Sequence, residues 1–177
     1  ARSHNGPRYE SGEIVKTQLT HQNNAGMQGF AFNTRQDKFK DVRVRRALSL
    51  AYDFEWANDK LFYNQYVRAD SYFSNSELAA QGLPEGNELA LLEKYRDQLP
   101  AEVFTKQWKP ATTIAPDSLR NNLIQARDLL AEAGWTIQDG VLKNKQGEVF
   151  ESTFLLVQSG VTRFVCTYAY NLKKCGE

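Results

Sequence analysis

Asp53, Glu55, His21 and His4 are the side chains in this sequence whose types suit proton transfer. A small hydrolase built from them would need His21 to meet Asp53 or Glu55 in one pocket, within hydrogen-bond reach. Asp53 and Glu55 are two apart on a predicted helix, a spacing that does not place side chains on one face. The chain has no Gly-x-Ser-x-Gly elbow, phosphate loop or two-histidine zinc spacing. Binding chemistry is better supplied. Gln158-Ser159-Gly160 offers an amide and a hydroxyl just before a predicted helix, whose first N–H groups attract anions. Arg163, in the first turn of that helix, can hold a carboxylate or phosphate in a two-pronged grip. Alternatively, Ser159 only caps the helix and Arg163 is solvated.

Two further stretches carry ligand-facing chemistry. Tyr72 and Phe73 can wall an apolar subsite while Ser71 and Asn75 hydrogen-bond a ligand backbone; equally, the aromatics are packed loop hydrophobes. Asn33 ends a predicted strand, a place where open α/β sheets receive ligands. Its amide either enters a cleft or bonds its own turn. Arg43, Arg45 and Arg46 form a cluster that suits nucleic acid in isolation. Formal net charge is +1, from 22 basic and 21 acidic residues, so the cluster reads as a solvated helix face with local ion pairs. No nucleic acid, cofactor or metal is expected.

The elements that would position these groups follow from periodicity. Phe30-Ala31-Phe32 starts a strand over 29–33, and Asp41 then sits where an N-cap belongs. Val44, Ala47, Leu48 and Ala51 fall at i, i+3, i+4 and i+7, predicting a helix over about 42–62. Residues 13–20 read as a strand holding Ile14, Val15 and Leu19, and 63–81 as an ordered, aromatic loop with a short helical turn. Helices are predicted near 87–98, 117–133 and 161–175. The second of these is capped by Asp117 or Ser118, lined by Leu119, Leu123, Ala126, Leu130 and Ala133, and ended by Gly134. A small hairpin follows around Asp139-Gly140, and 149–157 reads as a central strand.

The 177 residues suffice for one domain with a real core, and 41% hydrophobic with 12% aromatic content argues against disorder. Apolar runs fall short of the roughly 20 residues a membrane helix needs. Cys166 and Cys175 lie on one predicted helix, some 13 Å apart at 1.5 Å per residue, too far for a disulfide. Cys175 falls on the apolar stripe. The first residues, Ala1 to Pro7, lack an apolar signal core. Either the protein is intracellular or this is a mature or excised piece of a longer exported chain.

Two motifs carry a family resemblance. Asn33-Thr34, Phe39, Asp41-Val42-Arg43-Val44-Arg45-Arg46-Ala47-Leu48 and Ala51-Tyr52-Asp53 resemble the oligopeptide- and dipeptide-binding proteins, family 5 solute-binding subunits of ABC importers. Leu129-Leu130-Ala131-Glu132-Ala133-Gly134-Trp135, followed by Asp139-Gly140, Gly147 and Phe154-Leu155, is similar to the same family. Tyr52 to Asn58 and Asp70 to Leu78 look like the branch for peptides and peptide-nucleotide antibiotics of the microcin C kind. The resemblance implies an α/β chain, a single lobe of a type II periplasmic-binding-protein-like fold, and favours the longer exported chain. Residues 1–28 would then be a strand and loop entering the lobe, and 29–177 a C-terminal-lobe-type domain. It implies a periplasmic binding module and not an enzyme. Peptide would be held between this lobe and a missing second lobe, then passed to the membrane permease. Relatives use a basic residue in the loop at 158–163 for the peptide's C-terminal carboxylate. Their acidic partner for the α-amine lies downstream of Glu177. Besides the hydrolase, the rival reading is a stand-alone interaction domain that uses loop 63–81.

Overall fold

The helices at 42–50 and 119–132 form where the caps and apolar stripes of the sequence put them. The computed structural model describes residues 5–175. In chain order its elements are α1 (Pro7–Glu10), α2 (Asp37–Lys40), α3 (Val42–Leu50), α4 (Phe54–Lys60) and α5 (Gly86–Glu93). After a 3-10 turn (Arg96–Gln98) come α6 (Glu102–Thr105), α7 (Leu119–Glu132) and the strands β1 (Thr136–Gln138) and β2 (Val141–Lys143). A second 3-10 turn (Ser159–Val161) leads into α8 (Thr162–Lys173).

Asp41 caps α3, its Oδ1 accepting from the Arg43 backbone N–H at 2.8 Å. Ser118 caps α7 by accepting from the Asn121 N–H at 3.1 Å. At the far end of α7, Gly134 takes φ +91°, and Trp135 N–H bonds back to Leu130 C=O while Gly134 N–H bonds to Ala131 C=O. That paired closure needs a left-handed residue, which glycine supplies without a Cβ clash. Arg43 adds a cation to the same end, its Nη1 donating to the Glu132 carbonyl at 2.9 Å.

The core lies between α3, α7 and α8. Val44, Ala47, Leu48 and Ala51 meet Ala126 and Leu130, and Phe150, Leu142, Tyr168, Leu172 and Cys175 close around them. Small alanines on both α3 and α7 let the two axes approach closely. Two buried polar side chains of α8 reach the C-terminal end of α3. Tyr168 Oη donates to Leu48 C=O at 2.8 Å, and Asn171 Nδ2 donates to Ala51 C=O at 3.1 Å. Asn171 supplies a donor to a carbonyl at the helix end, and Tyr168 adds a second to Leu48 C=O, which also accepts from the Ala51 N–H at 3.3 Å.

Several expectations need correction. The helix over 42–62 is two helices, because Asp53 caps a new one by accepting from the Trp56 N–H at 3.0 Å. The helix near 87–98 ends at Glu93 and continues only as the 3-10 turn. Loop 63–81 is a series of turns without the expected helical turn. The strands predicted at 13–20, 29–33 and 149–157 have no ladder among the described residues; Val149 makes one isolated bridge, to Lys143. A lone extended segment gains nothing from its backbone until a neighbour accepts it. The sheet observed is the hairpin, β1 antiparallel to β2 with Thr136 opposite Lys143, turning through Asp139 and Gly140 at positive φ. Helices with this small sheet are what the α/β class contributes here.

The extended segments leave much surface uncovered. The chain exposes 13570 Å², against roughly 8,800 Å² for a compact monomer of its mass. Leu155 and Val157 are 94% and 93% exposed. No helix among the described residues is long and apolar enough to cross a membrane. Cys166 is exposed and Cys175 buried, and the two form no disulfide with each other. His4 lies outside the described residues.

Candidate ligand-binding site

Aromatic rings knit together the three segments that carry the predicted site residues. Phe30 stacks on Tyr168 at 5.5 Å between centroids and meets Phe154 at 5.4 Å and Phe164 at 5.8 Å. Phe62 packs edge-on against Phe164 at 5.9 Å and Tyr66 at 5.0 Å. Asn33 lies three residues beyond Phe30, Arg163 immediately before Phe164, and the 71–75 turn a few residues beyond Tyr66. Rings prefer such edge-on and offset contacts, so the junction fixes three strandless stretches to α8.

Around this junction the polar residues behave unevenly. Asn33 Oδ1 accepts from the Arg35 N–H at 3.2 Å, bonding its own turn. Ser71 Oγ accepts from the N–H groups of Phe73 (3.2 Å) and Ala80 (3.1 Å). Asn75, at φ +63°, donates from Nδ2 to the carbonyls of His21 (3.0 Å) and Asn23 (2.8 Å). Ser71 and Asn75 therefore use these atoms to shape the loop and pin it to 21–25. That frame displays Tyr72 and Phe73, which are exposed instead of packed. Gln158 and Ser159 start the 3-10 turn without a side-chain cap, and α8 follows from Val161, so Ser159 does not cap it. Arg163 is exposed in the first turn of α8. The described structure also has two shallow hollows of about 440 and 790 Å³ flanking Trp135, and none of the eight predicted site residues lines either.

Asp53 and Glu55 do converge, against the helical-spacing argument. Asp53 is a cap, outside the helical geometry, and its carboxylate turns toward Thr113. Thr113 Oγ1 lies 2.8 Å from Asp53 Oδ1 and 3.0 Å from Glu55 Oε2, so one hydroxyl proton serves two acceptors. Thr112 Oγ1 donates to Glu55 Oε1 at 2.7 Å and the Thr113 N–H to Oε2 at 3.1 Å. Burial pushes the Glu55 carboxyl up, but hydrogen bonds from Thr112, its own amide and Thr113 outweigh it and hold the group below the ordinary 4.5. His21 is elsewhere: its Nδ1 accepts from the Asn23 N–H at 3.2 Å, and among the described residues no hydrogen bond or ion pair joins it to either carboxylate.

A depressed carboxylate favours the folded state above its unfolded pKa, and the benefit disappears as pH falls through the folded value. Glu55→Gln is expected to lower the urea midpoint at about pH 6, with the gap to the parent narrowing as pH falls through the depressed folded value of Glu55. A gap of constant size across the acid range would assign the effect to packing.

Sequence reasoning missed Arg68, Thr112 and Thr113. Arg68 lies over the rings of Tyr52 (5.0 Å) and Phe54 (5.4 Å), and burial lowers its pKa. The available signal was its place as the one charge in 61–69, a run holding Phe62, Tyr63 and Tyr66. The arginine cluster is as expected. Arg43 pairs with Asp41 at 2.6 Å and Arg46 with Glu102 at 3.3 Å, while Arg45 donates to the carbonyls of Phe39 and Lys40.

Comparison with known families decides the classification. A model of the bacterial extracellular solute-binding proteins, family 5 middle region, matches residues 4–174. The chain belongs to this family. Among family 5 relatives, a probable peptide-binding protein, YejA of Agrobacterium fabrum, is 38% identical over 173 residues, covering 96% of this chain and 28% of that protein. YejA of Escherichia coli K12, described as uncharacterized, is 35% identical over 177 residues, covering 99% and 29%. A protein described as peptidoglycan-binding, YepA of A. fabrum, is 33% identical over 175 residues, covering 98% and 28%. The chain thus spans under a third of the length of these curated relatives.

Proposed function

We propose that this family 5 chain is one lobe of the solute-binding subunit of a peptide-importing ABC system, working in the periplasm. In this reading 1–28 enter the lobe, 29–177 form it, and peptide is clasped between it and a second lobe before delivery to the permease. The observation that carries the peptide assignment is the match to a relative named as peptide-binding, along nearly the whole chain. The aromatic junction suits such a ligand. It holds Asn33, the display of Tyr72 and Phe73, and the 158–163 loop on segments tied to one another, with Arg163 free to take a carboxylate. Microcin-like peptide-nucleotides remain within the same ligand class. The surplus exposed surface supports the one-lobe part of the reading, since a lobe leaves bare what its partner covers.

Calorimetric titration with mixed di- to tetrapeptides tests both parts. A single lobe supplies part of the contacts and cannot exclude water by closure. The 177-residue chain is therefore expected to bind weakly, and the longer protein containing it to bind at micromolar concentration. Micromolar binding by this chain alone would overturn the one-lobe reading. Absence of peptide binding by the longer protein would overturn the peptide reading. Display of Tyr72 at 76% exposure and Leu78 at 66% also favours a second use of loop 63–81, as a protein-contact surface.

A further inference from the structure

Arg68 holds a cation that the rest of the described structure leaves unanswered. Its Nε is buried with no hydrogen-bond partner. Among the described residues its guanidinium makes neither a hydrogen bond nor an ion pair. Rings of Tyr52 and Phe54 lie within cation–π range at 5.0 and 5.4 Å. Ring faces satisfy the flat side of a guanidinium, but its N–H groups lie in the plane and need acceptors there. The neighbouring acid does not serve: Glu55 spends its oxygens on Thr112 and Thr113 and acts on Arg68 only through space. Buried cations are ordinarily paired. This one is half-buried beside the aromatic junction, so a partner can still reach it.

We infer that Arg68 receives a carboxylate of the bound ligand, in the plane of its guanidinium and flanked by the Tyr52 and Phe54 rings. The inference rests on the peptide-ligand reading and names which chemical group of the ligand this residue would engage. It is separate from the anion grip expected at 158–163. Planar, two-pronged donation is what arginine offers a carboxylate and lysine does not. The rings would exclude water from the pair and so strengthen it.

The test follows the Arg68 Nε–H resonance in the nitrogen-15-labelled chain, assigned by its loss in Arg68→Lys. Acetyl-Ala-Phe as the free acid, the same peptide as its amide, and sodium benzoate are the probes. The free acid is expected to shift the resonance at roughly tenfold lower concentration than the amide. In Arg68→Gln, and in Arg68→Lys should the glutamine variant not fold, the acid's advantage seen by calorimetry should fall, and an advantage kept in full would overturn the inference. Equal response to acid and amide would overturn the inference while leaving peptide binding intact. A response to benzoate with none to either peptide would support the carboxylate role and count against the peptide reading. No shift with any probe would overturn the role of Arg68.

Discussion

Phe150→Ala is expected to destabilise the chain by about 3–5 kcal/mol, the range for removing a large buried aromatic. Phe150 is 1% exposed and lies where the hairpin meets the helices. Its ring packs edge-on to Trp135 at 4.8 Å and to Phe39 at 6.3 Å, and its N–H donates to Leu142 C=O at 2.8 Å. One side chain thus joins the segment after β2, the exit of α7 and the approach to α3. Alanine would leave a cavity bounded by three elements that cannot all move inward. Domains of this kind hold only about 5–15 kcal/mol in total, so the variant should sit near its unfolding threshold. Urea unfolding followed by tryptophan fluorescence reads the change. Phe150→Leu, which keeps most of the volume, should cost clearly less; equal costs for both would show that the site collapses freely.

Asn171→Leu is expected to cost about 1–3 kcal/mol although it adds apolar surface to a buried position. The lost donor leaves the Ala51 carbonyl in the interior with no replacement from Asn171. Tyr168→Phe removes the bond to Leu48 C=O and should cost less, about 0.5–1.5 kcal/mol, because the Ala51 N–H still donates to that carbonyl. Both donors hold the same end of α3, so the double variant should depart from the sum of the singles. Urea midpoints for the four proteins close that cycle. Amide exchange should accelerate first at Tyr52 and Asp53, which follow the loosened end; uniform acceleration along α3 would contradict this local account.

The helical half of the molecule was legible in the sequence because its determinants are local. The α3 stripe Val44, Ala47, Leu48 and Ala51 is entirely buried, and Asp41, Ser118 and Gly134 act where their residue types say they should. The extended half was not. Phe154-Leu155-Leu156-Val157 is apolar enough to read as a central strand, yet apolar content states a demand for cover without saying which segment meets it. Among the described residues none does for Leu155 and Val157. Local rules also misled at Asp53, which the sequence pattern places in a helix interior and which instead caps a new helix through the Trp56 amide. Of the predicted site residues, the structure gives loop-building bonds to Asn33, Ser71 and Asn75 and open exposure to Tyr72, Phe73 and Arg163. Arg68 escaped because a cation over ring faces has no periodic signature.

The bare ribbon ending at Val157 has a consequence for handling this protein. Among the described residues 155–157 pair with no other strand, their apolar side chains are exposed, and no proline interrupts 149–157. Such a stretch is a template onto which another molecule can add its own strand. Concentration therefore acts on this chain as a reagent: crowding copies together sets intermolecular zippering in competition with whatever cover the ribbon takes in its intended setting.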